Sequence, residues 1–292
     1  MSRSAAISSA LLFATGCIGT APPASQFPSA SAALDRMHAT YACSRGITGE
    51  SKLDYLGDEG RIRASILFAA VRPESVRVDV YSSFGATLST FTSDGANFGL
   101  SDTKEKKFYY GPARQCAVAR FLGIPVPPQA LVQLLAGEAP VLVHAASDAQ
   151  ISWQSGAYEL KIRGQNQAIE TISLLPSPGD WSKPWADQRV RVLGVQVEQQ
   201  GIELYRAEFL DHQSVATAAP RVDPDGLEPP VPPSGPPCSA EVPQHIRFTV
   251  PSSGRDVELA HKELHHNPPL HVGMFSQSPS SALRSVAIEC SE

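Results

Sequence analysis

The sequence predicts a mostly β protein built on antiparallel sheet. Three observations carry this expectation. Apolar side chains recur at every second residue over much of the chain beyond about residue 47; turn residues bound several of these runs; and helical spacing is confined to three short stretches. Period-two runs with one apolar and one mainly polar face describe a sheet that is wet on one side.

The chain begins with a segment unlike the rest. Met1 to Gly16 carries one basic residue, Arg3, then the apolar run Ala10-Leu11-Leu12-Phe13 and the small pair Thr15-Gly16. This is the order of a secretory signal, too short to span a bilayer as a helix. Ala14-Thr15-Gly16-Cys17 resembles a bacterial lipobox, with Ala14 where leucine is usual. Residues 1–16 are therefore expected to be a lipoprotein signal peptide, with Cys17 lipidated and residues 17–30 forming a lipid anchor and a Pro-bearing tether. An ordinary cleaved signal is the competing reading. Ile18 after the anchor supplies no acidic retention signal of the enteric kind, which favours the outer membrane.

Residues 31–292 are expected to form one domain. Ser31 to Ala42 reads as a helix, with Leu34, Met37, His38 and Tyr41 at spacings of three and four. Alternation is clearest in Val76, Val78, Val80 and in Tyr158, Leu160, Ile162. It recurs over 61–70, 86–91, 189–197, 202–209, 246–250 and 257–259, with turn signals at 58–60, 72–74, 93–95 and 252–254. Two short helices interrupt the strands, Pro112 to Leu122 and Pro127 to Ala136. Each starts near a proline and ends at a glycine, Gly123 or Gly137. The dense proline run within residues 220–237 excludes a central strand or a helix, because proline lacks the backbone donor. The 55 residues after Pro237 are few for an independent core, so the run is read as a loop within one sheet.

Composition excludes several classes. The chain is 42% hydrophobic and 18% charged, enough to bury a core, and its net charge of −5 comes without a basic block, which argues against nucleic acid as a partner. Apart from Cys17, the thiols Cys43, Cys116, Cys238 and Cys290 allow three pairings in an oxidising compartment, and their wide spacing supports neither a redox pair nor a zinc knuckle. His261, His265, His266 and His271 crowd into eleven residues, but a strand running into a proline turn points neighbours apart, so surface histidines are expected rather than a metal site. No nucleophile elbow, zinc-protease or phosphate-loop motif is present, and no catalytic residue, metal or cofactor is assigned.

The order of features resembles a known family. Ser65-Ile-Leu-Phe-Ala-Ala-Val-Arg-Pro-Glu-Ser-Val-Arg-Val-Asp-Val, then Ser83-Phe-Gly-Ala-Thr-Leu, Thr92-Ser-Asp-Gly-Ala-Asn-Phe and Lys107-Phe-Tyr-Tyr-Gly are similar to the LolA/LolB superfamily of bacterial lipoprotein carriers and receptors, best over about residues 48–175. The resemblance implies a strongly curved, incompletely closed antiparallel barrel with a short helical lid, whose apolar concave face accommodates acyl chains. Expected cavity residues are Val76, Val78, Val80, Leu88, Phe91, Tyr158, Leu160 and Ile162; expected lid residues are Val118, Phe121, Leu122, Leu131, Leu134 and Leu135. Receptor members insert lipid through an apolar residue on a protruding loop; here the turns at 72–74 and 82–85 are short, and Phe84 is the bulky candidate. The implied function is that of a non-enzymatic, outer-membrane, periplasm-facing lipoprotein that binds acyl chains of lipoproteins or lipids. The alternative is an envelope interaction protein with a filled core, using the proline-rich loop or a sheet edge to hold a protein partner.

Overall fold

The computed structural model describes residues 21–57, 60–271 and 273–289. The signal segment, Cys17, part of the tether and Cys290 lie outside the described residues. Helix α1 (Ala30–Tyr41) starts where the Ser29 side chain accepts the Ala32 N–H at 3.1 Å, an N-cap that supplies one of the partners a helix start lacks. It buries Ala33, Leu34, Met37 and Tyr41 along one face.

Two antiparallel meanders follow. The first comprises β1 (Gly46–Gly57), β2 (Gly60–Val71), β3 (Ser75–Tyr81), β4 (Thr87–Ser93), β5 (Asn97–Asp102) and β6 (Lys107–Pro112). Helices α2 (Gln115–Leu122) and α3 (Pro128–Leu135) intervene. The second meander comprises β7 (Ala149–Gln154), β8 (Ala157–Arg163), β9 (Ala168–Pro176), β10 (Val190–Gln199) and β11 (Ile202–Leu210). The short pair β12 (Gln213–Ser214) and β13 (Glu241–Val242) brackets the proline-rich excursion. The hairpin β14 (His245–Val250) and β15 (Arg255–His266) and the strand β16 (Arg284–Ala287) complete the chain.

All but β12 and β13 join one curved, unclosed 14-stranded sheet, in the order β16-β6-β5-β4-β3-β2-β1-β15-β14-β11-β10-β9-β8-β7. Its two edges are β16, paired parallel to β6, and β7. The fold class expected from the sequence is the one observed. From the sequence the last strands are expected to close the sheet; instead β14 and β15 bridge it, because β15 pairs with β1 and β14 with β11, joining the two meanders at the centre, and β16 extends its edge beside β6.

A buried asparagine holds that centre together. Asn267, at the end of β15 and fully buried, takes φ 54°, a left-handed conformation that asparagine tolerates better than most residues. Its Oδ1 accepts the N–H groups of Arg45 at 2.8 Å and Gly46 at 3.2 Å, and its Nδ2 donates to the carbonyls of Cys43 at 2.9 Å and Pro236 at 2.6 Å. One side chain thus ties the start of β1 to the proline-rich loop. A disulfide between Cys43 and Cys238, with Cα atoms 5.0 Å apart and 195 residues between them in sequence, fastens the same junction covalently. Cys116 is disulfide-bonded as well.

Several sequence expectations are corrected. The helix expected from Pro112 starts at Gln115, because Pro112 still pairs with Asn97 in the sheet. The run at 257–259 is the centre of a twelve-residue strand whose pairing is offset by a bulge opposite Glu50 and Ser51, and the slip breaks its period. Neither His261 nor His266 is a surface residue: His261 continues the inward period of Val257 and Leu259, and the slip beyond it brings His266 to the same inner face, where His266 Nδ1 lies 2.9 Å from Ser44 Oγ and its Nε2 3.1 Å from the Ala240 carbonyl. His265 and His271 keep more exposed positions. Among the described residues, no group of three or more His, Cys, Asp or Glu is placed to hold a metal ion.

Asn267→Ala is expected to lower unfolding stability by at least about 3 kcal/mol, since it leaves two buried donors and two carbonyls without partners. Removing the disulfide with Cys43→Ala and Cys238→Ala is expected to cost about 2–5 kcal/mol. Urea denaturation checks both, and a loss below about 1 kcal/mol for Asn267→Ala would refute its role as the central tie.

Candidate functional site

The inner face of the sheet follows from the register. Val76, Val78 and Val80 on β3 stand opposite Ala70, Phe68 and Ile66 on β2, and Val78 stands opposite Phe91 on β4. Across the centre, Ile47, Gly49, Ser51, Leu53 and Tyr55 on β1 meet His266, Leu264, His261, Leu259 and Val257 on β15. In the second meander Tyr158, Leu160 and Ile162 meet Leu174, Ile172 and Glu170 on β9. Alternation at period two places all of these on one side. The outer side carries ion pairs such as Arg77 with Asp79 and Arg247 with Asp256.

Two lid helices cover the β1–β6 half of this face. Val118, Leu131, Leu134 and Leu135 are buried, while Phe121 and Leu122 are half-buried against the same core. The Phe121 ring lies 5.5 Å from Phe98 and 5.2 Å from Tyr109, and Arg255 Nη1 donates to the Ala119 carbonyl at 3.3 Å. Both helices end at a left-handed glycine, Gly123 and Gly137, each at φ 79°. A Cβ at Gly137 would stand 2.5 Å from Pro243, so the turn needs glycine for space as well as conformation. Helix α1 covers part of the second half, with the Phe27 ring just before it 5.0 Å from Tyr158.

The root of the lid is held by charge. Glu138, one residue beyond Gly137 and 1% exposed, accepts from the Arg72 guanidinium and lies 2.8 Å from His38 Nδ1. Arg72 also donates to the Ser44 carbonyl at 2.9 Å. The hydrogen bond to Glu138 raises the His38 pKa above its usual value, although burial opposes it. The His38 contribution to stability is therefore fully present below pH 6.5 and lost as pH rises through the raised value.

Of the expected cavity residues, Val76, Val78, Phe91, Tyr158, Leu160 and Ile162 are buried on the inner face, and Val80 is half-buried beside them. Leu88 is 38% exposed, next to a bulge in the β3–β4 pairing that offsets the alternation. The inner face is closed in this structure: lid side chains pack where a ligand would lie. Two open grooves, of about 380 and 400 Å³, lie instead mainly against the outer face. The first is formed by Thr92, Gly99 and Tyr110 with Phe275 and Gln277, and Gln277 Nε2 straps the sheet by donating to the Thr90 and Gly99 carbonyls. Phe84, at the tip of the β3–β4 turn, is 98% exposed.

Sequence reasoning missed two polar groups on the inner face. Glu170 stands between Ile162 and Val197, 1% exposed, and its Oε2 accepts the Leu142 N–H at 2.8 Å. Burial pushes its carboxyl up to about 8, against the opposing effect of that hydrogen bond. Its presence at an inward position also explains why β9 was not recognised as a strand. The second group is the pair Ser51 and His261, whose Oγ and Nδ1 are 2.6 Å apart. A charged or polar residue interrupting an inward run was the available signal for Glu170.

The native state holds a proton on Glu170 between pH 4.5 and 8 that the unfolded chain releases, so stability falls as pH rises through that interval. Glu170→Gln is expected to be more stable than the parent at pH 8, by at most about 3–4 kcal/mol, with the gain vanishing below pH 4.5. Urea denaturation at pH 4 and pH 8 measures this; an equal difference at both would exclude a neutral buried acid.

No family model matches the chain, and no curated protein matches it. Among solved structures, a DUF1329 family protein from Desulfovibrio piger superposes with TM-score 0.52 at 9% identity, covering 87% of this chain and 99% of that one. A putative outer membrane lipoprotein-sorting protein domain from Vibrio parahaemolyticus gives TM-score 0.49 at 9% identity, covering 85% and 95%. A LolA superfamily protein from Nitrosomonas europaea gives 0.49 at 9% identity, covering 85% and 98%. The likeness is one of fold alone, and the architecture seen, a curved, unclosed, mainly antiparallel sheet with helices on its concave face, is the one expected from the sequence.

Proposed function

We propose that this protein is an envelope lipoprotein, anchored through Cys17 to the periplasmic face of the outer membrane, that takes acyl chains of lipoproteins or lipids onto its inner face. The observation that carries the reading is the pairing of a broad apolar concave face with two short helices that add no strand to the sheet and are seated mainly by apolar side chains. Burying a sixteen-carbon chain supplies roughly 12 kcal/mol, and releasing six lid side chains costs roughly 9–18 kcal/mol. The two are comparable, so exchanging lid contacts for acyl contacts is close to balanced and permits both uptake and release. Phe84 then supplies an exposed apolar tip for contact with a bilayer.

A second reading has its own observation. Val76, Leu134, Leu160 and Ile162 are fully buried with the lid closed, as they would be in a permanently filled core. That favours an interaction protein using the proline-rich loop, where Leu227 is 86% exposed, or the β7 edge.

Native mass spectrometry of a form lacking residues 1–17, purified from an envelope extract, separates the two. A stoichiometric acyl ligand supports the carrier; a bare protein mass together with no uptake of a fluorescent fatty acid supports the filled core. Leu131→Glu and the milder Leu122→Glu, each verified as folded by circular dichroism, are expected to lose bound lipid, and full retention in both would remove the lid from the mechanism. Phe84→Ser is expected to retain lipid while slowing its transfer to phospholipid vesicles about tenfold. Lipidation of Cys17 also leaves Cys290 as the thiol available to Cys116. Non-reducing peptide mapping that links Cys116 to Cys17 would sink the anchor.

A further inference from the structure

The inner face carries a buried polar atom with no hydrogen-bond partner among the described residues. His261 sits where the bulge offsets β15 against β1, opposite Ser51, which is fully buried and itself opposite Ile66 on β2. The imidazole lies 5.5 Å from the Phe68 ring, and its inward neighbours along β15 are Leu259 and Leu264. Burial, with His245 nearby, pushes its pKa down to about 4, so the ring is neutral at physiological pH. A neutral imidazole has one N–H. Ser51 Oγ lies 2.6 Å from Nδ1, and where the hydroxyl donates the proton resides on Nε2. That Nε2 is buried and has no hydrogen-bond partner among the described residues. A leucine there would satisfy packing without stranding a donor, so the histidine is costly unless something accepts from it.

We infer that His261 Nε2 donates to the ester carbonyl of an O-acyl chain held on the inner face, with Ser51 fixing the tautomer. This rests on the acyl-binding reading and adds a selectivity to it. An ester carbonyl is an acceptor without a donor and lies at the polar end of a chain that the surrounding leucines and phenylalanine suit. An ether-linked chain of the same length carries a methylene where the ester has its carbonyl, and so offers no acceptor there. The site therefore separates ester-linked from ether-linked lipids.

The test uses the form lacking residues 1–17 and two probes, 1-monopalmitoylglycerol and 1-O-hexadecylglycerol. Wild type is expected to prefer the ester about tenfold, the worth of one hydrogen bond, and His261→Leu to bring that ratio to about one. His261→Gln, whose side-chain amide can donate, is expected to retain part of the preference. The His261 Nε2–H resonance is expected to shift on adding the ester and not the ether, a readout on the unaltered protein that does not depend on the variants folding. An unchanged ester-to-ether ratio in folded His261→Leu, or a resonance that responds equally to both probes, overturns the assignment while leaving acyl binding intact. Wild type that binds neither probe overturns the acyl reading and this inference with it. Diacylglyceryl-cysteine lipopeptide and phosphatidylglycerol share the ester, and the one wild type binds more tightly identifies the source of the chain.

Discussion

Burial of the concave apolar face governs this molecule. Fourteen strands curve around residues such as Phe68, Phe91, Leu160 and Phe248, whose exposure to water is unfavourable, and among the described residues the other sheet is just the two-stranded pair of β12 and β13. The chain solves this with three short helices laid into the hollow. The same requirement makes the lid structural, because its side chains are what keep the face from water.

Keeping that cover in place requires anchors at a few points. The Glu138 clamp fixes the root of the lid to α1 through His38 and to the β2–β3 turn through Arg72. Asn267 and the Cys43–Cys238 disulfide fix the seam where β1 meets β15. Each anchor joins segments far apart in sequence, and each is polar or covalent in a body otherwise held by apolar packing. Such groups contribute uniqueness of arrangement, because a buried donor or charge is satisfied in one geometry and costly in others.

The inner face is also where its polar residues have to be explained. Glu170 is neutralised by burial, and the Ser51–His261 pair leaves a buried nitrogen with no hydrogen-bond partner among the described residues. On the outer face such groups would be ordinary, since solvent or an ion pair answers them. Inside, each is satisfied in few arrangements.

The sequence by itself determined the strand character, the three helices, the turns at Arg72-Pro73-Glu74, Ser93-Asp94-Gly95 and Ser252-Ser253-Gly254, and the inward alternation of Val76 and Val78 on β3. All of these are local: period, capping and turn chemistry are written within a few residues. Tertiary structure decided what depends on distant partners. The central position of β14 and β15, the pairing of Cys43 with Cys238, the burial of His266 and the closure of the lid over Val76 arise from contacts between segments far apart in sequence. A one-residue bulge between His261 and Glu263 was enough to turn His266 from an expected surface residue into an inward one, because a period of two reverses the face of a side chain with every step along the strand.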